Sequence, residues 1–487
     1  MSNLRTYYLL CYFCHTLSSD EGYWAMRSMH ASVSPMHTIY NATDLATDMS
    51  SYFSCVNLAS PTEFKRCRGY NLCSHRGEFL FFVPREPESK RLPASNWDRT
   101  GQRVFKQGLL FQTDSRGHHH LNPRYVTDHI AGYIRTKGIP LVKWHNRPAY
   151  FLNKHACTNG GHCIAENLLL VVSNMVSWGF ASQNDIFDNE LIILEYESKS
   201  CGCTTNRDAC GGEGMAPHFL ALCRYFVDMY LGLTSRNKIS YLDDLESHRG
   251  QVMDCWSTVY GGAGAAGPYH SETTGVQQQM EQFGLTYNLL RDLAYHRHHV
   301  TLPTHSERRL NLLTNITTLN VLINKKAGRR IIGNMDFVSD WISSYVMTVR
   351  GFGRMYPKLE KVTYNVTVIQ WENIKGLKSQ LELLRNTDIL ISPFGSGSFN
   401  ALFLPDATSL ITTPSCLVQN GEPLCDNFEG DVLHVHQVHY DTFYYSPNLK
   451  SDIYLPPNEK LLYSLNMEKT HLIGLLQEAS NSILFRF

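Results

Sequence analysis

The chain has 487 residues, of which 43% are hydrophobic and 11% are aromatic, and this length is enough for two or three domains with cores of their own. Its 44 basic and 44 acidic residues give a formal net charge of +0 at pH 7. This balance argues against a nucleic-acid partner, because proteins that bind nucleic acids usually carry an excess of Lys and Arg. Glycine and proline are spread along the chain, so it has no collagen-like or low-complexity segment.

The N-terminal segment has the pattern of a secretory signal peptide. Arg5 precedes an apolar run over 7–14, and the small residues Thr16-Leu17-Ser18 follow it. We therefore predict a cleaved signal at 1–18, with a buried N-terminal strand as the alternative. A membrane span needs about 20 apolar residues. No stretch of the sequence is that long, so we predict no stable membrane span.

The cysteines favour an oxidising compartment. Two of the 14 cysteines lie in the predicted signal, and the even number that is left predicts disulfides whose pairing the sequence does not reveal. Zinc is the alternative, but Cys201, Cys203 and Cys210 form no Cys-x-x-Cys pair, and no histidine cluster has a structural-zinc spacing. We therefore predict no metal site. Glycosylation sequons begin at Asn41, Asn315 and Asn365.

The first half of the chain contains several predicted strands. Residues 19–140 form a cysteine-containing extension rich in turns and charges, with one strand at 78–84. A strand is predicted over 141–152, and helices and strands alternate from 160 to 245, with a buried strand at 189–198. The stretch "GGAGAAG" contains a G-x-G-x-x-G pattern, but the segment before it, "DCWSTVY", is a poor strand. We interpret this stretch as a flexible loop and not as a dinucleotide site.

The second half alternates strands and helices more regularly. Strands are predicted at 318–326, at "VTYNVTVIQW" and at 389–391, and helices at "NMDFVSDWISSYVMTV" and around 377–384. This alternation indicates a parallel sheet of Rossmann type. The last segment, 458–485, is predicted to be helical.

A glycine-rich loop follows the strand at 389–391. In an α/β sheet, ligands lie beyond the carboxyl ends of the strands, and glycine lets the backbone come close to them. The N–H groups at the following helix start favour anions, and Ser396 and Ser398 add hydroxyl donors. The loop Gly395–Asn400 therefore predicts a cradle for a phosphate or diphosphate, with a plain strand-to-helix turn as the alternative. It is not a Walker A loop, because no Gly-Lys-[Ser/Thr] follows.

The stretch "NGGHCIAE" predicts a helix start with Asn159 as a plausible cap. His162 and Glu166 are four residues apart and would share one helix face. Such a pair can act in general acid–base chemistry, or it can be only a helix cap and a solvated acid.

Four motifs in this order resemble glycosyltransferase family 61, the family of the EGF-domain-specific O-GlcNAc transferase and of plant xylosyltransferases. The resemblance covers roughly 145–415. It rests on the following residues: Asn159 and His162; Arg329, Arg330 and Asn334; Gln380; and Asp388, Gly395, Gly397, Asn400, Phe403, Leu404 and Pro405.

The resemblance implies an α/β fold of GT-B type, in which two Rossmann-like domains face a cleft. It gives an acceptor-side domain at 141–310, a nucleotide-sugar domain at 311–455 and a terminal helix at 456–487. The predicted activity is inverting transfer from a UDP-sugar to a protein or glycan hydroxyl, with no cofactor besides the donor and in the lumen of the endoplasmic reticulum or Golgi. The partners would be a sugar nucleotide and a glycoprotein or polysaccharide acceptor. Since no Asp-x-Asp occurs, we expect a metal-independent enzyme.

The resemblance also implies roles for individual residues. Either Glu166 or His162 would be the base, and Glu166 could instead orient His162. Arg329 or Arg330 would stabilise the departing diphosphate together with the helix start. The remaining predicted binding residues are Asn159, Asn334, Phe394, Gly395, Ser396, Gly397, Ser398 and Asn400.

Three positions depart from the family pattern. Phe394 replaces a histidine, Asn324 followed by Lys325 replaces an arginine, and Glu166 replaces an aspartate. The loss of the histidine supports a rival interpretation, a secreted glycan-binding or structural protein with a degenerate transferase fold. A glycosidase is a second rival, but no pair of carboxylates stands out for it.

Overall fold

The computed structural model describes twenty segments of the chain, and the strands in these segments form four sheets. The described residues are 37–41, 43–45, 49–57, 65–83, 124–154, 164, 169, 171–172, 190–196, 240–241, 245–262, 276–304, 307–308, 318–326, 330–350, 359–374, 376–419, 422–426, 439–456 and 463–485.

The first half forms a mixed sheet of ten strands. Its strands are β1 (His37–Asn41), β2 (Tyr52–Asn57), β3 (Lys65–His75), β4 (Glu78–Phe82), β5 (Arg124–Val126), β6 (Leu141–His145), β7 (Ala149–Lys154), β8 (Glu190–Tyr196), β9 (Ser240–Tyr241) and β10 (Val252–Gly262). Helix α1 (Ile130–Lys137) packs its apolar side chains into a core with β4, β6 and β10. Strands from both sides of the predicted division at residue 140 thus share one sheet, and the division itself stays a prediction.

Strand β10 is the centre of this sheet. It pairs antiparallel with β3 on one side and parallel with β6 and then β7 on the other. The prediction that "DCWSTVY" is a poor strand is therefore wrong. Asp254 and Ser257 made the segment look unfavourable, but both side chains have partners, His145 and Trp144 respectively. Partners that are distant in sequence have outweighed the local strand propensity.

The predicted strand at 141–152 is two strands. β6 and β7 pair with consecutive parts of β10, and the chain between them contains Pro148. Proline has no N–H to donate to a ladder, which explains why the pairing is interrupted there.

The second half forms a six-stranded sheet in the order β12-β13-β11-β14-β15-β18. The strands are β11 (Thr318–Asn324), β12 (Met347–Arg350), β13 (Leu359–Ile369), β14 (Ile389–Ser392), β15 (Thr408–Thr412) and β18 (Tyr440–Tyr444). Strand β12 is antiparallel to β13, and all the other pairs are parallel. The parallel sheet that the alternating pattern predicted is confirmed.

Four helices accompany this sheet: α2 (Val276–His298), α3 (Met335–Ser344), α4 (Gly376–Leu384) and α5 (Lys469–Phe485). Apolar residues of α3 and α5 share one core with β11, β13 and β14. Helix α2 joins the same unit, because the Tyr295 hydroxyl donates to the carbonyls of Leu381 and Phe403 and Arg291 pairs with Asp406. Helix α2 thus contacts the second sheet's unit although it lies before residue 310, the predicted end of the acceptor-side domain. That domain boundary stays a prediction.

The C-terminal helix is shorter than the predicted 458–485. It begins at Lys469, because the Glu468 carboxylate accepts the N–H groups of Thr470 and His471 at the helix start. The residues just before it form a two-stranded ladder of β19 (Ile453–Tyr454) and β20 (Ser464–Leu465). Another hairpin, β16 (Ser415–Gln419) and β17 (Glu422–Asp426), follows β15.

In the part of the chain that the structure describes, two disulfides link paired strands. Cys73 of β3 is bonded to Cys255 of β10, and Cys416 of β16 is bonded to Cys425 of β17. Both are compatible with the predicted oxidising lumen. None of the described helices is long and apolar enough to cross a membrane.

The fold is therefore mixed α/β with several sheets, and this agrees with the predicted α/β class. The arrangement of two Rossmann-like domains around a cleft stays a prediction.

Candidate functional site

The second sheet has a switch point between β11 and β14. The chain leaves β11 toward β13 on one side and then returns to place β14 on the other side. In open α/β sheets, ligands bind in the crevice beyond the carboxyl ends of the strands at such a point. Asn324 ends β11 and Ser392 ends β14, and the Asn324 amide donates to the Ser392 hydroxyl over 3.1 Å. The glycine loop begins three residues later, so it lies where the topology predicts a ligand.

Two glycines of this loop have no room for a side chain. Gly395 has φ 136°, in the region that favours glycine, and a Cβ there would lie 2.2 Å from the Lys326 ammonium nitrogen. A Cβ at Gly397 would lie 2.5 Å from Asn324 Nδ2 and 3.0 Å from Trp371 Cδ1. The glycines therefore let the side chains of Lys326, Asn324 and Trp371 contact the backbone of the loop.

The start of the following helix is held in shape by the loop itself. A 3₁₀ helix runs over Ser396–Phe403, and Ser398 donates both its N–H and its hydroxyl to the Gly395 carbonyl. Ser398 and Asn400 are buried, whereas Ser396 and Gly397 are half-buried. The accessible part of the predicted cradle is therefore its first turn.

Two basic side chains meet at Phe394, directly before the loop. Lys326 Nζ donates to the Phe394 carbonyl over 3.0 Å. The guanidinium carbon of Arg330 lies over the Phe394 ring, 4.8 Å from its centroid. Arg330 itself has a left-handed backbone, with φ 54°. Positive charge is thus concentrated beside the first turn of the 3₁₀ helix, where the helix N-terminus also favours an anion.

Two buried donors around the loop lack partners in the described part of the chain. They are the Arg330 Nε and the Trp371 indole Nε1. Trp371 is only 7% exposed, and its Nε1 lies 3.5 Å from the position that a Cβ would take on Gly397. Buried donors in native proteins are nearly always bonded, and an acceptor on a ligand at this loop would satisfy both donors.

Asp388, which belongs to the family motif, has a structural place. Its carboxylate pairs with Arg308 over 2.7 Å and accepts the Asn320 N–H over 2.8 Å. Burial raises the pKa of Asp388, and Arg308 opposes that shift. The residue therefore ties β11 to the start of β14 and keeps the switch point in register.

The other predicted site residues fall in three places. Asn334 bonds the backbone N–H and carbonyl of Met467, so it joins the start of α3 to the segment before α5. The sequon residues Asn41 and Asn365 are both exposed, and Asn365 donates to the Asn320 side chain over 3.0 Å. The predicted residues that lie outside the described residues are Asn159, His162, Glu166, Asn315 and Arg329.

Sequence reasoning missed two residues of the site, Lys326 and Trp371. Each comes two residues after the end of a parallel strand, β11 and β13 respectively. Polar groups that follow parallel strands meet at one edge of the sheet, and this rule would have found both residues. Neither residue belongs to the motifs from which the family was inferred.

A second charged cluster lies in the first sheet. His145 Nδ1 is 3.0 Å from a Glu190 carboxylate oxygen, and Nε2 is 2.8 Å from an Asp254 oxygen. All three side chains are at most 3% exposed, and the His145 ring stacks on Trp256. Asp254 also accepts the Ser247 N–H over 3.0 Å. Each charged side chain of this closed triad therefore has a partner within the chain.

The pKa values of His145 and Asp254 shift in the directions expected of an ion pair. Burial acts to lower the pKa of His145, but its bonds to Asp254 and Glu190 outweigh burial and raise it. Burial acts to raise the pKa of Asp254, but the bond and charge of His145 outweigh it and lower the pKa. His145 is therefore held as an imidazolium between two carboxylates.

Comparison with known proteins connects the loop to a family. Residues 267–411 match the family model Glycosyltransferase 61, and this range contains α2, the switch point, Arg330 and the whole glycine loop. No curated protein matches the chain. The match confirms the resemblance inferred from the motifs over residues 267–411 and supports glycosyltransferase family 61, a family whose name implies glycosyl transfer.

Proposed function

We propose that this protein is an inverting, metal-independent glycosyltransferase of the secretory pathway. It transfers a sugar, with GlcNAc or xylose as the first candidates, from a UDP-sugar to a hydroxyl group of a protein or glycan. The second sheet binds the donor, the first sheet contributes the acceptor side, and the two face a cleft of GT-B type.

The observation that supports this proposal best is the basic cradle at the switch point. Lys326, Arg330 and the start of the 3₁₀ helix lie around a loop whose glycines let polar side chains come close to the backbone. A departing diphosphate gains negative charge as the glycosidic bond to it breaks, and fixed positive groups stabilise that charge. The same groups supply the charge that a divalent ion supplies in other transferases, which is why we propose that no metal is needed.

The reaction also needs a base for the acceptor hydroxyl. We assign that role to Glu166, with His162 as the alternative base or as the group that Glu166 orients. Asn159 and Arg329 belong to the same site by their positions in the family motifs. General base catalysis usually contributes about 10²- to 10⁴-fold, so Glu166→Gln should lower transfer by that factor and leave donor affinity unchanged.

Donor binding is the most direct test of the function. Calorimetric titration of the purified, secreted protein with UDP and a panel of UDP-sugars should give saturable binding without added metal. Gly397→Ala would place a Cβ 2.5 Å from Asn324 Nδ2, and we expect it to weaken UDP binding about tenfold or more. Gly474→Ala is the matched control, because nothing lies within 4 Å of a Cβ added there. Wild-type protein that binds no UDP-sugar would overturn the proposal.

The alternative is a degenerate transferase that binds glycans without transferring sugar. Phe394 in place of the family histidine is the observation that favours it. One experiment distinguishes the two functions, namely incubation of the protein with an acceptor glycan and a UDP-sugar. A protein that only binds glycans would bind the acceptor but would show no affinity for the UDP-sugar and would release no UDP.

A further inference from the structure

Phe394 is in contact with both cations of the cradle. Its ring lies under the Arg330 guanidinium at 4.8 Å, and its carbonyl accepts the Lys326 ammonium at 3.0 Å. Phe394 is itself held from the other side, because its N–H donates to Thr413 Oγ1 over 3.1 Å. At 6% exposure it presents almost no surface to a ligand. Its effect on a ligand must therefore act through its two basic neighbours.

The contact with Arg330 leaves the guanidinium able to bind an anion. A cation over an aromatic face is attracted by the negative face of the ring, and this attraction does not use the N–H donors. Arg330 Nε has no hydrogen-bond partner in the described segments. A long, flexible arginine would lose conformational entropy on binding an anion, and a ring that already holds the guanidinium reduces that cost.

We infer that Phe394 is a positioning residue for the donor diphosphate: its ring fixes Arg330 and its carbonyl fixes Lys326 beside the first turn of the 3₁₀ helix. This inference rests on the proposed function. It also gives the departure from the family pattern a physical meaning, because a neutral aromatic ring at this position supports a cation that a protonated imidazole would repel.

Fluorinated phenylalanines at position 394 test the inference, since they weaken the negative face of the ring stepwise and change its size little. Mono-, di- and trifluorophenylalanine should lower the affinity for UDP and for inorganic pyrophosphate in that order. Phe394→Leu, which has no ring, should lower it about 3- to 30-fold. A residue needed only for packing would show no such order.

Phe337 provides the matched control. It is 63% exposed on α3 and stacks on Trp341, away from the loop contacts described above. The same fluorinated residues at 337 should leave the affinity for UDP unchanged. Thermal unfolding of each variant checks that the fold is intact, and the fluorinated series still gives the answer if Phe394→Leu fails to fold.

Phe394→His makes UDP affinity depend on pH in a way that a change in packing alone would not. Between pH 7.5 and pH 5.5 an imidazole at this position gains charge and repels Arg330, so the ratio of variant to wild-type UDP affinity should fall as the pH is lowered. A constant ratio would contradict the inference.

The outcomes separate the two proposals. If the wild type binds neither UDP nor pyrophosphate, the proposed function fails. If the wild type binds both and the fluorinated series shows no trend, the function stands and the role of Phe394 is overturned. If Arg330→Met binds UDP as tightly as the wild type, Arg330 is not a donor ligand and the inference is overturned in the same way.

Discussion

The two sheets each carry a cluster of charged residues at strand ends, and the clusters differ in how their charges are compensated. In the first sheet, His145 lies between Glu190 and Asp254, and all three side chains are almost fully buried. In the second sheet, Arg330 lies over an aromatic ring and has no ion pair in the described segments, and its Nε has no acceptor. The charged groups of the first cluster bond to one another without a ligand. In the second cluster, the Nε donor of Arg330 lacks an acceptor in the described segments.

This difference separates a structural role from a binding role. Burying an ion is costly unless partners within the chain repay the desolvation, so a closed triad contributes to the fold as long as it is intact. Donors without partners lower stability, and proteins retain them mainly where a ligand supplies the acceptor. Variants of the closed triad should therefore change stability and not donor affinity, and variants of the cradle should do the reverse.

The largest expected effect comes from the closed triad. His145→Gln removes the cation and leaves two carboxylates buried side by side. Breaking a buried ion pair in this way costs about 3–5 kcal/mol, so the free energy of unfolding measured with denaturant should fall by about that amount. The folded fraction should bind UDP like the wild type.

A second variant shows whether the loss comes from charge. Adding Glu190→Gln to His145→Gln removes one uncompensated carboxylate and should restore part of the stability. If the double variant is no more stable than His145→Gln, lost packing against Trp256 explains the effect, and the charge of His145 does not stabilise the triad.

The pH dependence of stability tests the same cluster with a smaller effect, because no atom except a proton is removed. The raised pKa of His145 gives stability that is fully present below its unfolded value of about 6.5 and is lost as the pH rises through the folded pKa. The lowered pKa of Asp254 gives stability that is present above about pH 3.9 and is lost as the pH falls through the folded pKa. The stability difference between wild type and His145→Gln should thus be largest between about pH 4 and 6.5 and shrink in alkaline solution. A difference that grows toward pH 9 would contradict the imidazolium assignment.

In the cradle, Trp371→Phe separates binding from stability. The change keeps an aromatic ring and removes the indole N–H that lacks a partner. A hydrogen bond to a charged group contributes about 1.5–3 kcal/mol, so UDP affinity should fall about 10-fold or more. The melting temperature without ligand should not fall, because no bond is lost. Trp341→Phe on α3 is the control and should leave UDP affinity unchanged. Equal UDP affinity in wild type and Trp371→Phe would mean that the ligand does not use this donor.

The same contrast explains which parts of the molecule could be predicted from its sequence. The regular alternation after residue 318 predicted the strands at Thr318–Asn324 and Ile389–Ser392, and the glycines located the loop between strand and helix. These features follow from local patterns, namely hydrophobic period and backbone freedom. The central strand Val252–Gly262 was missed, because its Asp254 has a partner in His145, which is 109 residues away in the chain.

The candidate site shows the same limit. Gly395, Gly397 and Arg330 could be predicted because they stand in a motif. Trp371 stands in no motif, and its place beside Gly397 comes from the pairing of β13 with β11. The contact between Arg330 and Phe394 also joins residues 64 positions apart, so the sequence did not reveal that this ring lies under a guanidinium.

The smallest expected effect compares two adjacent lysines. Lys325 forms a 3.4 Å ion pair with Asp336 in which both side chains are largely exposed, and such surface pairs contribute about 0–1 kcal/mol. Lys326 instead donates to the Phe394 carbonyl, and its ammonium lies where a Cβ on Gly395 would be. Lys326→Met should weaken UDP binding about 3- to 10-fold, because one positive charge beside the diphosphate is lost at short range in partly desolvated surroundings. Lys325→Met should leave it unchanged. Titrations at two salt concentrations sharpen the test, since the affinity of Lys326→Met should depend less on salt than that of the wild type. Both lysines carry the same charge and are neighbours in sequence, so equal losses for the two variants would mean that general attraction to a basic surface, and not the cradle, binds the nucleotide.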